Sequence, residues 1–246
     1  MFFSLSFGRF YGIDSLIELL IVIVAGIISW YSHRIYKIVK EENYRFFSWA
    51  FLAIAVSFMF KIISNFTFLS RVRVENANFV YVILTQPKYM PIVDFFSFIL
   101  YKSFYLIGFL ILFLIATRTE KKDKVLLFIY LSIITILFSI YFDFVFHITL
   151  VVILLLLTMH FYHNYNNHRT INTLLVYLGF SIILISHCFF VFSGVNSLFY
   201  MIGEGFVLLG FLCLLINQIK IYFKNSKNET NKTRSNKRYS RYTAKK

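Results

Sequence analysis

Seven ionisable side chains fall inside or at the ends of long apolar stretches: Glu18, Lys61, Asp94, Lys102, His147, His187 and Glu204. A charge in hydrocarbon is costly and almost always faces protein or a polar cavity, so these positions carry the information. Lysine against glutamate is the material of buried ion pairs that hold helices in register. The same groups, opened to one face of a membrane, would bind a small charged or zwitterionic ligand. A Glu–His–Lys set also suits a proton or ion path, although a complete path needs an acidic group in the other half, and none is present.

Depth groups them. At 1.5 Å per residue, Lys61 lies ~12 Å from Leu69 and Lys102 ~12 Å from Asp94. On the same rise His187 lies ~9 Å from Ser193 and Glu204 ~10 Å from Ser197, with Glu18 and His147 one turn inside their stretches. All of them fall in one half of the membrane. Spacing of three and four residues puts Ala50, Ala53, Ser57, Lys61 and Ser64 on one stripe, and Asp14 and Glu18 on another. Asp94, Ser97, Tyr101, Tyr105 and Gly108 form a third stripe flanked by Lys102, and Ser132, Thr135, Ser139 and Asp143 a fourth. Small and polar residues mark helix–helix contact in membranes, so these stripes face inward. At least one Lys–Glu contact is expected among Glu18, Lys61, Lys102 and Glu204, with His147 or His187 sharing the network. Gly203 and Gly205 flank Glu204 and allow close helix approach there.

Other chemistry is poorly represented. His160 and His163 stand three apart without a nearby third ligand, and a zinc site needs at least three. His147, His187 and Glu204 form a ligand set only if the helices bring them together. No metal and no cofactor are expected. Cys188 and Cys213 read as apolar packing residues, and no nucleophile–base constellation points to an enzyme.

The elements that position these groups follow from composition. Hydrophobic residues make up 59% and charged residues 15% of the 246 residues, too little charge for a soluble surface. Unbroken apolar runs cover 15–30, 46–69, 94–116, 125–142, 144–162, 171–193 and 197–219. Backbone polar groups in hydrocarbon must pair within their own segment, which makes these runs helices. The stretch 125–161 is interrupted only by Asp143 and as one helix would measure ~55 Å, so a tight turn is required near Asp143. The predicted fold is all-α, a seven-helix membrane bundle with no internal repeat.

Basic residues set its orientation. Arg34, Lys37, Lys40, Arg45, Arg118, Lys121, Lys122, Lys124, Arg169 and the ten from Lys220 to Lys246 lie on one side; Arg9, Arg71, Arg73 and Lys88 lie on the other. The positive-inside rule predicts an outer N-terminus and a cytoplasmic C-terminus, in the plasma membrane. The net charge of +14 comes mostly from this asymmetry and does not imply nucleic acid. Three parts are predicted: an outer interfacial segment 1–13, a membrane domain 14–223 with an extracellular loop 70–92, and a disordered basic tail 224–246.

In topology alone the chain resembles seven-helix receptors, both microbial rhodopsins and G-protein-coupled receptors. No motif is shared, and the seventh stretch has no retinal-type lysine before Lys220. The expected function is a receptor-like or sensory module with a polar pocket in the extracellular half. Small-molecule or ion transport, or a structural role in a membrane complex, are the alternatives. Expected partners are the lipid bilayer, a small charged ligand from outside, a cytoplasmic protein at the loops and tail, and anionic lipids at the tail.

Overall fold

A computed structural model describes residues 13–76, 90–117 and 122–243, all-helical apart from short turns, with no strand among the described residues. The helices are α1 (Ile13–Val39), α2 (Glu42–Asn76), α3 (Met90–Thr117), α4 (Lys122–Ser139), α5 (Asp143–His168), α6 (Ile171–Val191) and α7 (Ser197–Thr243). Six of them are long and apolar enough to cross a membrane, which fits a multi-pass integral membrane protein. The exception is α4, whose apolar part Val125–Ser139 spans only ~22 Å.

Successive helices run antiparallel. Lys40 and Glu41 alone separate α1 from α2, and Lys40 takes a left-handed φ of 63° as the helix ends. Arg169 does the same at φ 47°, and Thr170 then caps α6 reciprocally with Thr173. The turn predicted near Asp143 falls at residues 140–142, leaving Asp143 as the first residue of α5. Contacts between helices fix the directions. Ser29 and Ser48 exchange hydroxyl-to-carbonyl hydrogen bonds of 2.9 Å between α1 and α2. Phe113 meets Phe128 at 4.9 Å while Lys102 reaches Ser139, so α4 returns alongside α3. Tyr31 packs on Tyr222 at 5.2 Å, and α7 closes the ring parallel to α1.

The ring has six members. α3 touches α5 directly, with Tyr105 and Phe146 6.1 Å apart, and α4 packs on both from outside. Its stripe of Ser132, Thr135 and Ser139 is buried against them, while Leu126, Leu127, Tyr130, Leu137 and Phe138 face outward. The peripheral seat fits its short apolar length: α4 contributes no fully buried large side chain, only Phe128 and Ile136 packed partly buried against the core. That core is aromatic, built on Phe51, Phe58, Tyr105, Phe109, Phe146, Phe180 and Phe211.

For description, the upper end is the one where α1 begins. Toward the lower half α6 and α7 meet backbone to backbone at Gly179 and Gly210. A Cβ on Gly210 would stand 2.9 Å from the Gly179 carbonyl oxygen. This approach packs α6 directly on α7 below the charged residues. Two expectations change at the ends. α2 continues as helix to Asn76, into the stretch read as loop 70–92. α7 continues to Thr243 where a disordered tail from 224 is expected; no glycine or proline follows Gly210, so nothing in the chain stops the helix. The segment 1–12 and most of the loop, including Asn78 to Thr85, lie outside the described residues.

Candidate functional site

Helical periodicity carries charge into the upper half from five helices. On α1, Asp14 and Glu18 are one turn apart, above Ile21, Ala25 and Ile28 on the same buried stripe. On α2, Lys61 is followed one turn on by Asn65. Tyr101, Lys102 and Tyr105 come from α3, Asp143 and His147 from α5, His187 and Phe190 from α6, Tyr200 and Glu204 from α7.

Two networks result. In the first, the Lys61 ammonium donates to Glu204 Oε1 and lies 3.2 Å from Glu18 Oε1. Asn65 Nδ2 donates to both oxygens of Glu18 at 2.8 Å. Both carboxylates are fully buried. Four rings surround the ammonium, with centroids at 5.5 Å (Phe58), 5.5 Å (Tyr101), 5.8 Å (Phe190) and 5.1 Å (Tyr200). An ammonium over ring faces in a dry site gains cation–π attraction in addition to its ion pairs. Gly203 makes room for one of those rings, since a Cβ there would stand 2.7 Å from Phe190 Cε1.

The second network joins α3, α4, α5 and α6. Lys102 Nζ lies 2.6 Å from Asp143 Oδ1 and donates to the Ser139 carbonyl at 3.0 Å. Ser139 ends α4, where carbonyls lack helical partners and a cation is favoured. Lys102 therefore caps α4 from a neighbouring helix and pins the α4–α5 turn to α3. Asp143 Oδ2 faces His147 Nε2 at 3.5 Å; His147 Nδ1 faces His187 Nδ1 at 3.2 Å; His187 Nε2 faces the Tyr105 hydroxyl at 3.1 Å. With Asp143 ionised and both rings neutral, one proton arrangement satisfies every contact. Tyr105 donates to His187 Nε2, His187 Nδ1–H donates to His147 Nδ1, and His147 Nε2–H points to Asp143. The chain leads from a carboxylate with 34% exposure to a hydroxyl buried in the core.

The expected Lys–Glu contact is present, at Lys61 with Glu18 and Glu204. Lys102 and the two histidines stand in a separate network, with Asp143 as the acidic partner. Phe190 lies between the two, 5.0 Å from the His147 ring and 5.8 Å from the Lys61 ammonium. Asp94 accepts from Ser64 Oγ at 2.6 Å and ties α3 to α2. His147 and His187 meet as a metal pair would, but Glu204 belongs to the other network. Among the described residues no three His, Cys, Asp or Glu side chains form a metal-holding group.

Sequence reasoning gave Asp143 the break in the apolar run and a place on an inward stripe but no ionic partner, and did not single out Asn65 or Tyr200. The i, i+4 spacings Lys61–Asn65 and Asp143–His147 are the signals that place these partners on one face. Asn217 and Gln218, both buried in the lower half, were likewise not singled out; they are uncharged, so the ionised groups remain concentrated above. No family model, no curated protein and no solved structure matches this chain.

Proposed function

We propose that this is a seven-span membrane protein with an outer N-terminus and a cytoplasmic C-terminus. In this reading it is a receptor-like module whose upper half holds an outward-facing site for a small charged ligand. The observation that carries this reading is the Lys61–Glu18–Glu204 network: a buried ionic centre supplied by three helices, α1, α2 and α7, the last of them distant in sequence from the other two. A ligand that displaces or joins such a centre changes the relation of three helices at once, which is what a receptor needs. The buried apolar side chains of Ile28, Phe51, Phe180 and Leu214 below it support sensing over passage, because a transporter or channel requires a polar route through the lower half.

Orientation is supported by the distribution of lysine and arginine, and Trp30 and Trp49 mark the lower membrane boundary without deciding its side. Both indoles are exposed on the lower halves of α1 and α2, near Arg34 and Arg45, as expected of an interfacial aromatic belt. α4 counts as the seventh span in this reading, its short apolar length accommodated by packing on α3 and α5. The plasma membrane is the proposed location. A cytoplasmic protein would dock on the lower loops and α7, whose basic extension also suits anionic lipid.

Two measurements test this. Cysteine labels at Asn76 and Asn196 are expected to react from outside intact cells, and labels at Asp123 and Ser235 are not; the reverse pattern removes the orientation. Purified protein is expected to gain thermal stability from at least one member of a panel of charged and zwitterionic metabolites, without accumulating it in proteoliposomes. Uptake would replace the receptor reading with transport.

A further inference from the structure

The ionic centre around Lys61 does not balance. Glu18 and Glu204 bring two negative charges and Lys61 one positive, and Asp14 adds another carboxylate one turn above Glu18. Lys102 cannot make up the difference, because Asp143 already neutralises it. An unbalanced charge in a dry interior must be met by a proton or by a bound cation.

The hydrogen-bond pattern distinguishes the two. Both oxygens of Glu18 accept from Asn65, and Oε1 also faces Lys61, so a proton on Glu18 would oppose a donor. Glu204 Oε1 accepts from Lys61. Glu204 Oε2 is buried and, among the described residues, has no hydrogen-bond partner of either kind. A proton there would have Asp14 Oδ1 as its one unpartnered receiver and would need it within hydrogen-bond reach, whereas a cation satisfies both oxygens at a wider separation. An ionised, unpartnered oxygen on a fully buried glutamate is instead a coordination position. Asp14 Oδ1 is buried and unpartnered in the same sense, on the neighbouring parallel helix at the upper end.

We infer that Glu204 Oε2 and Asp14 Oδ1 receive one small monovalent cation admitted from the upper end, either an alkali ion or the ammonium group of a small amine. The fully buried part of the centre, Glu18 and Glu204 against Lys61, carries one excess charge, while Asp14 is only half-buried and keeps hydration for its own; a monovalent ion therefore suffices and repels Lys61 less than a divalent one. The depth of Oε2 selects a small one, since the oxygen has no surface to offer a bulky group. Lys61 already illustrates the preference of the site: its own ammonium sits on these carboxylates within four aromatic rings. This inference rests on reading the upper cluster as an outward site, and it names the charge and size of what binds there.

The test is thermal unfolding of the purified full-length chain at constant ionic strength. N-methylglucamine chloride, whose cation is far bulkier than the other three, is replaced stepwise by sodium, potassium or methylammonium chloride. A saturable rise in Tm is expected for at least one of the three, about 3–6 °C at ten times the midpoint concentration. An alkali-only response assigns the site to an inorganic ion, and a methylammonium response to an amine head group. Glu204→Gln is expected to abolish the response. Asp14→Asn, which leaves the Lys61 pairs in place and serves if Glu204→Gln does not fold, is expected to weaken binding about tenfold. Superimposed curves for all the salts, or a saturable response that survives both substitutions, would overturn the inference. The receptor reading fails separately: a metabolite shift without a cation response leaves it standing, and a cation response with no metabolite shift removes it alone.

Discussion

His147 Nδ1 and His187 Nδ1 face each other at 3.2 Å across the α5–α6 interface, and only one of them can hold the hydrogen between them. Asp143 on the far side of His147 and Tyr105 on the far side of His187 determine which. Nitrogen NMR of labelled histidine should therefore find His147 as the Nε2–H tautomer and His187 as the Nδ1–H tautomer. Tyr105→Phe removes the donor to His187 Nε2. It is expected to give His187 mixed tautomers and to lower stability by about 1–3 kcal/mol, the cost of one unsatisfied buried polar atom. Unchanged tautomers in Tyr105→Phe would show that the phenol does not orient the pair.

Lys61 and Glu204 should be energetically coupled. Lys61→Met strands two buried carboxylates and is expected to cost about 3–5 kcal/mol. Glu204→Gln in the same chain removes one stranded charge and keeps an oxygen in place, so part of the loss should return. The coupling from a double-mutant cycle should fall between about 0.5 and 3 kcal/mol. Full additivity would mean that the pair does not act as one.

The two glycines beside Glu204 should respond in opposite directions. Gly203→Ala places a methyl 2.7 Å from Phe190 Cε1, in a ring that two ionic networks share. Overpacking of this kind costs about 1–3 kcal/mol. Gly205 has no atom within 4 Å of a Cβ, so Gly205→Ala meets nothing and gains the helix propensity that glycine lacks, about 1 kcal/mol. Differential scanning fluorimetry should move the two variants to either side of the parent. Equal shifts would mean that Phe190 yields and that the glycine at 203 is incidental.

Element type and the inward stripes were legible because hydrocarbon leaves a helix no alternative and because small and polar residues recur at helical spacing. Lys61, Glu18 and Glu204 were placed at one depth from residue counts alone, and they do meet. Partner choice was less legible. Lys61 and Lys102 stand at similar depths on helices that pack together, and sequence gives no azimuth fine enough to send them to different acids. The peripheral seat of α4 was hidden for a related reason: its stripe of Ser132, Thr135 and Ser139 looks like any inward stripe until α3 and α5 are seen to touch behind it. Beyond Lys224 composition alone points to a disordered tail, whereas the helix runs on to Thr243. Low hydrophobicity argues against a buried core but does not stop a helix already propagating from a long span.

Lys102 is expected to behave as a clamp on the α4–α5 turn rather than as part of the Lys61 centre. Its ammonium holds the Ser139 carbonyl and Asp143 together, and both lie at the boundary between the two helices. Lys102→Met would leave a helix-terminal carbonyl without its cation and a carboxylate without its ion pair. Because Asp143 is partly exposed, the stranded charge can recover some hydration, so the expected loss of about 2–3 kcal/mol is smaller than for Lys61→Met. The loss should also be local. Amide hydrogen exchange is expected to accelerate at Tyr141, Phe142 and Val145, whose amides bond across the turn to Phe138 and Phe142, and to stay unchanged around Ser57 and Glu204. Asp143→Asn leaves one acceptor oxygen where two serve Lys102 and His147 Nε2–H, and it strands the buried Lys102 ammonium, so it should cost at least as much as Lys102→Met, about 3–5 kcal/mol. If Lys102→Met instead loosened α1 and α7 as much as the turn, the two networks would be one coupled unit and Phe190 would not separate them.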